Sequence, residues 1–198
     1  MMNIILLAAG NSRRFQGKNK LLAMAGTRPL FLHCFEAWKE TAEAAGDCQI
    51  IAVAREKIIL DSAKRLGFAA VESPDSVNGI SYSIKAGIQE VLKNKSEGLK
   101  PEDRLIFSVS DQPFLQKDTL IRFLHTAKTS PYGCVSFQGH IYNPVSFPVE
   151  AVPELLSLEG DQGGKKVLRM HLEELTKTEA GSELEIRDVD VIKDLDGL

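Results

Sequence analysis

Three short apolar runs set the limits on this chain. NIILLA (residues 3–8), CQIIAVA (48–54) and RLIFSV (104–109) carry apolar residues at odd and even positions alike. Each is too short for an ordinary helix, and a strand apolar on both faces must be covered above and below. Between the first two runs lies a helix-period segment, 29–45. There Leu30, Cys34, Ala37, Trp38 and Ala42 recur on one side, and Pro29 suits the first position. Residues 57–66 read as a second helix and 83–93 as a third, with Ile84, Ile88, Val91 and Leu92 together. Strand and helix alternate through the first two thirds of the chain. The fold class expected is therefore α/β, with a mostly parallel central sheet and helices on both faces.

The remaining elements are read more locally. Residues 68–71 form a short strand, SPDSVNGIS (73–81) is a turn-rich loop, and 117–128 is a helix. Strands are expected at 134–137 and 143–147, helical stretches around 150–158 and 164–175, and a last strand at 184–189. No repeat, low-complexity tract or linker divides the 198 residues, so a single domain over 1–198 is expected.

The net charge is −3, which disfavours a nucleic-acid or anionic-membrane binder. No stretch approaches the ~18 apolar residues of a membrane span. Cys34, Cys48 and Cys134 are odd in number and widely spaced, which argues against structural zinc and a disulfide framework. With no signal-peptide pattern at the start, the expected location is the cytoplasm.

Against that acidic background one stretch stands out. After the first strand the chain passes through Ala8, Ala9 and Gly10, then presents Arg13, Arg14, Lys18 and Lys20 with no acid among them. A turn of small residues lets backbone N–H groups approach an anion, and the cations suit a polyphosphate. The stretch is neither a G-x-x-x-x-G-K-[ST] loop nor a G-x-G-x-x-G fingerprint. A solvated loop with ordinary surface cations is the competing reading.

A bound triphosphate needs its charge neutralised, and magnesium does this with one or two carboxylates. Asp111 ends the RLIFSV strand in SDQP, where Pro113 fixes the turn, and it can face the cleft of Gly10. A plain turn aspartate is the alternative. Asp188 and Asp190 would share a face if a strand persists there, and either could be a second metal ligand. Lys165 and Lys166 follow a glycine-rich helix start where an anion could dock; a solvated charge pair competes with that. His33, His125, His140 and His171 read as packed or surface residues, and Trp38 as core.

Taken together, the segments resemble a family. LAAGNSRRFQGKNKLL is similar to the L-A-A-G-x-S-x-R-[MF]-G-x-x-x-K-L-L signature of the MobA-like nucleotidyltransferases, nearest to the molybdenum cofactor cytidylyltransferases. RPLFLH, NGISYSIKAGI, SVSDQPFL, NPVSFP, GDQGGKKVL and DVDVIKDL resemble further family segments in the family's order.

The resemblance implies a Rossmann-like nucleotidyltransferase fold and a magnesium-dependent transfer of CMP from CTP to the phosphate of a molybdopterin-type cofactor. It also implies roles. Leu7, Ala8, Ala9, Gly10, Gly79, Ser81 and Ser83 would hold the nucleotide. Arg14 and Lys20 would bind its triphosphate and, with Asp111, carry catalysis. Asp111 with Asp188 or Asp190 would hold Mg2+. Asn143, Gly160, Asp161, Gly163 and Lys165 would face the acceptor.

The resemblance also implies a molybdoenzyme partner. Gln16, Tyr82 and Val191 depart from the family's usual Gly, Ser and Thr. The alternatives are a guanylyltransferase of the same cofactor, a nucleotidyltransferase of a sugar or alcohol phosphate, and a non-catalytic nucleotide- or cofactor-binding accessory protein.

Overall fold

The structure is a computed structural model and describes residues 1–10, 19–95, 98–189 and 194. The three apolar runs are neighbouring strands. β1 (Met2–Ala8) is followed by a minor hairpin of β2 (Met24–Ala25) and β3 (Arg28–Pro29), then α1 (Leu30–Ala45) and β4 (Cys48–Ala54). Next come α2 (Lys57–Arg65), β5 (Ala69–Glu72), α3 (Ile80–Lys93) and β6 (Arg104–Val109). The chain continues through α4 (Lys117–Thr129), β7 (Tyr132–Phe137), β8 (His140–Pro148), α5 (Val152–Leu156), α6 (Gly164–Leu168) and β9 (Leu175–Glu179).

The seven strands of the main sheet lie in the order β5-β4-β1-β6-β8-β7-β9. β1 pairs in parallel with β4 and β6, setting Ile4 beside both Ile50 and Ile106. Among the described strands of this sheet only β8 runs against its neighbours, antiparallel to β6 and β7.

Alternation along β1 explains why its apolar run is continuous. Ile4, Leu6 and Ala8 face one core with Phe31, Phe35 and Trp38 of α1, Ile59 of α2 and Phe123 of α4. Ile5 and Leu7 face a second core with Ile84 and Ile88 of α3, Leu155 of α5 and Val167 of α6. Helices therefore cover both faces, as expected. Trp38 is core, and its indole N–H donates to Ser108 Oγ at 2.9 Å.

The second half corrects several expectations. Residues 184–189 are not a strand: Glu183–Ile186 forms a 3-10 turn. Among the described residues the last strand is β9, whose exposed Thr176, Lys177 and Glu179 give no apolar run to read. The stretch 164–175 is helical only to Leu168 before a 3-10 turn at Leu172–Glu174. α1 begins at Leu30, with Pro29 as the residue before it. α3 begins at Ile80, three residues earlier than its apolar face suggests.

Candidate functional site

The order of the sheet reverses at β1, with β4 and β5 on one side and β6 on the other. A crevice forms outside the carboxyl ends of strands at such a point. Leu7 pairs with Val109, and the Ser110 N–H donates to the Leu7 carbonyl at 3.2 Å. Both segments singled out in the sequence therefore leave the sheet side by side.

Ala9 and Gly10 follow β1, and the described chain resumes at Asn19. The Asn19 side chain accepts from the Leu21 N–H at 3.0 Å and caps the 3-10 turn Lys20–Leu22. Lys20, on that turn, reaches Asp111 just beyond β6, with Nζ 2.7 Å from Oδ2. The side chains are 13% and 21% exposed. Oδ1 of Asp111 is buried and accepts no hydrogen bond from the described residues. A buried carboxylate oxygen without a donor is costly unless a cation completes it.

A second carboxylate stands nearby. Asp188 accepts from Gln112 Nε2 at 2.8 Å through Oδ1. The protein packed around it, and the negative charge of Asp111, raise its pKa. Asp111 and Asp188 can together hold a magnesium ion, with phosphate oxygens filling the other positions. The orphaned Oδ1 and the mutual repulsion of the pair are what such an ion would relieve. Asp188 lies past the 3-10 turn, so strand alternation does not place it. Asp190, Arg14, Arg13 and Lys18 lie outside the described residues.

A cavity of about 390 Å³ adjoins this corner. Leu7, Ile80 and Phe107 form part of its apolar wall, and Asn143, Asp161, Gly163 and Lys165 line it too. Lys165 lies 5.4 Å from the centre of the Tyr142 ring. Burial lowers its pKa, while the charge of Asp188 works the other way. The acceptor segment of the sequence analysis thus shares a cavity with the end of β1. α6 is only five residues long, so Lys165 contributes a side-chain cation rather than a helix terminus.

Gly79 and Gly160 cross here. Gly79 has φ +134°, and a Cβ on it would fall 2.1 Å from the Gly160 carbonyl carbon. The Ser81 N–H donates to the Gly160 carbonyl at 3.1 Å, tying α3 to the loop before α6. Ser81 Oγ is buried and makes no hydrogen bond among the described residues. Ser83 Oγ instead lies 2.7 Å from Ser76 Oγ, which itself contacts Ser73 Oγ at 2.7 Å. Ser83 thus braces the loop ahead of α3.

Two residues escaped sequence reasoning. Arg55, at the end of β4, donates to the Gly10 carbonyl at 3.2 Å, and its Nε is buried without a partner among the described residues. Gln112 links the SDQP turn to Asp188. Arg55 opens the short charged run Arg55-Glu56-Lys57, which reads as an ordinary surface turn, and it neighbours Gly10 only through the sheet. Cys34, on α1, donates to the Gln112 carbonyl at 3.2 Å. Burial, with the nearby Asp111 and Asp188 charges, pushes its thiol pKa far up, so it is a neutral donor and no nucleophile. Two of the histidines are engaged elsewhere: His33 bonds the Ala25 carbonyl, and His171 stacks on Tyr132 beside Glu154.

Among the described residues, no helix is long and apolar enough to cross a membrane. The structure is similar to a nucleotidyl transferase from Methanothermobacter thermautotroptrophicus, with a TM-score of 0.76 at 19% identity over 98% of this chain and 94% of that one. It is also similar to Rv0371c of Mycobacterium tuberculosis H37Rv, solved as a complex with manganese, with a TM-score of 0.65 at 19% identity over 90% of this chain and 88% of that one. In sequence, 122 residues are 28% identical to the purine catabolism protein PucB of Bacillus subtilis, covering 62% of this chain. The match spans about half of that protein's length, 54%. Residues 4–176 match the MobA-like NTP transferase domain, and the chain belongs to that family.

Proposed function

We propose that the chain is a magnesium-dependent cytidylyltransferase that moves CMP from CTP to the phosphate of a molybdopterin-type acceptor. The Lys20–Asp111 pair, with an orphaned Asp111 oxygen beside it, carries this reading. In the reaction an acceptor phosphate oxygen attacks the α-phosphorus, a new P–O bond forms, and the bond to the β-phosphate oxygen breaks. Pyrophosphate leaves with the electron pair. The acceptor phosphate is already a nucleophile, so no general base is needed and catalysis rests on positioning and charge stabilisation.

Each residue has a task in this scheme. Lys20 balances charge at the α-phosphate, and Arg14 balances charge on the departing pyrophosphate. Leu7, Ala8, Ala9, Gly10, Gly79 and Ser81 hold the nucleoside, with Ser83 bracing the loop behind them. Asn143, Gly160, Asp161, Gly163 and Lys165 orient the acceptor. Asp111, with Asp188 or Asp190, would hold Mg2+, which neutralises phosphate charge when bound. Manganese in the complex of the mycobacterial protein agrees with a divalent-cation site in this fold.

The choice of CTP rests on Leu7-Ala8-Ala9-Gly10, which resembles the L-A-A-G of the cytidylyl branch rather than the L-A-G-G of the guanylyl branch. In this reading the extra methyl at residue 9 leaves less room for a purine.

Thermal unfolding with Mg2+ and each of CTP, GTP, ATP and UTP tests the reading. A ligand at 100 times its Kd stabilises by ~2.7 kcal/mol, a shift of roughly 5 to 10 °C for a chain of this size. The expected result is a magnesium-dependent shift with CTP, followed by pyrophosphate release when molybdopterin is added. A shift with GTP alone, or pyrophosphate release only with a sugar phosphate, would replace the substrate. No shift and no release with any pair would overturn the reading.

A further inference from the structure

Gln112 is 3% exposed and directs its amide nitrogen at the tail of the chain. Nε2 donates to Asp188 Oδ1 at 2.8 Å and to the Ile186 carbonyl at 3.1 Å. The turn that holds Gln112 is fixed from two sides. Cys34 Sγ donates to the Gln112 carbonyl at 3.2 Å, and the Val189 N–H donates to the Asp111 carbonyl at 2.9 Å.

The tail is anchored by the buried Ile186 and Val189 and by Glu185, which accepts from the Gly181 N–H at 3.0 Å, but none of these contacts sets the direction of the Asp188 side chain. Residues 183–186 make one 3-10 turn, and Asp188 lies outside the sheet, between the exposed Arg187 and the buried Val189. Its carboxylate faces a second negative charge at Asp111, which would drive the two apart. Lys20 and Lys165 offset part of that repulsion by charge, but a direct hydrogen-bond donor is what fixes the direction of the Asp188 carboxylate.

We propose that Gln112 is a positioning residue that holds the Asp188 carboxylate beside Asp111, so that two chain segments present oxygens to one divalent cation. The proposal rests on the reading of Asp111 and Asp188 as a metal pair. A glutamine meets the requirement in three ways. It is neutral, its two amide protons serve a carboxylate and a carbonyl at once, and its length reaches both. Its orientation is fixed by those acceptors, because a flipped amide would set Oε1 against Asp188 Oδ1. A glutamate would lose the donors and add a third negative charge.

The test is a titration with Mn2+ alone, read by electron paramagnetic resonance. It compares the full chain, Gln112→Met, Gln112→Asn, Asp188→Asn and the Gln112→Met/Asp188→Asn double variant. Partners that orient a metal ligand are worth about 10- to 100-fold in affinity. Gln112→Met is expected to weaken Mn2+ binding by about 10-fold or more, and Gln112→Asn, one methylene short, by a smaller factor. In the Asp188→Asn background the same change is expected to add less than about twofold, because the group it positions is gone.

Urea unfolding without metal identifies which variants are folded at the assay temperature, and Gln112→Asn carries the test if the methionine variant is not. A folded Gln112 variant with unchanged Mn2+ affinity would overturn the proposal and leave the metal site standing. So would a full effect of Gln112→Met in the Asp188→Asn background. A wild-type chain that binds no Mn2+ would overturn the metal reading and the proposal together.

Discussion

Lys20 and Asp111 meet at 2.7 Å although 91 residues separate them, because one follows β1 and the other follows β6. β1 and β6 are paired in register, so Asp111 leaves the sheet beside the end of β1, and the 3-10 turn Lys20–Leu22 brings the ammonium to it. The pair is partly buried, and the Asn19 cap fixes the turn that carries Lys20. Lys20→Ala is therefore expected to remain folded, since no core side chain is lost. Removing one electrostatic stabiliser of this kind costs about 10²- to 10³-fold in turnover. Circular dichroism with a pyrophosphate-release assay checks both halves. Near-wild-type turnover would sink the catalytic role of Lys20.

Two glycines near the site should behave oppositely. A Cβ at Gly79 would fall 2.1 Å from Gly160 backbone atoms and 2.8 Å from the Asp161 nitrogen, on a backbone with φ +134°. Neither neighbour is a side chain that can rotate away. Gly79→Ala is expected to lower stability by about 2–4 kcal/mol in urea unfolding. At Gly10 a Cβ would meet nothing within 4 Å among the described residues. Gly10→Ala is expected to unfold like the wild type to within about 0.5 kcal/mol, yet to weaken CTP binding by crowding the ligand's approach to the backbone. Unchanged CTP affinity in that variant would remove Gly10 from the nucleotide site.

Much of this architecture is visible in the sequence because β1, β4 and β6 are buried on both sides. Such strands carry an unbroken apolar signal, and their ends locate the crevice. β9 was missed because Lys177 and Glu179 at the sheet's edge look like loop residues. The tail was misread for the opposite reason. Ile186 and Val189 are buried but lie three positions apart, and they pack against the core from a 3-10 turn and an extended segment rather than from a strand. In the site, Lys20 and Asp111 were legible because each follows a strand within a polar motif. Gln112 and Arg55 act through contacts 76 and 45 residues away, which only the folded chain defines.

Packing of α3 against β1 offers a separate check on the fold. A Cβ at Gly87 would lie 2.5 Å from Ile5 Cγ2, on a fully buried central strand. Alanine gains about 1 kcal/mol of helix propensity over glycine. Overpacking against a β-branched side chain costs about 1–3 kcal/mol, so Gly87→Ala is expected to be destabilising on balance. In an Ile5→Ala background the clash is gone and the sign should reverse. Urea midpoints of the four proteins decide this, and the same sign in both backgrounds would refute the close approach of α3.

Asp103 supplies a pH-dependent share of stability. Burial pushes its carboxyl pKa up, but the Lys95 ammonium, the Lys100 N–H and the Met1 amino group outweigh that and hold it at about 2. Lys95 Nζ and the Lys100 N–H reach Oδ2 at 2.7 and 2.9 Å, and the Met1 nitrogen reaches Oδ1 at 3.0 Å. A carboxylate whose pKa is lower in the folded chain than in the unfolded one stabilises the fold wherever it is ionised. The contribution, about 2 kcal/mol, is complete above the unfolded value near pH 4 and is lost as the pH falls through the folded value. Asp103→Asn should therefore lie below the wild type by a constant margin from about pH 5 to pH 7, and the two should converge toward pH 2. Urea midpoints across that range measure the margin. A gap that stays constant down to pH 2 would mean that shape rather than charge makes Asp103 matter.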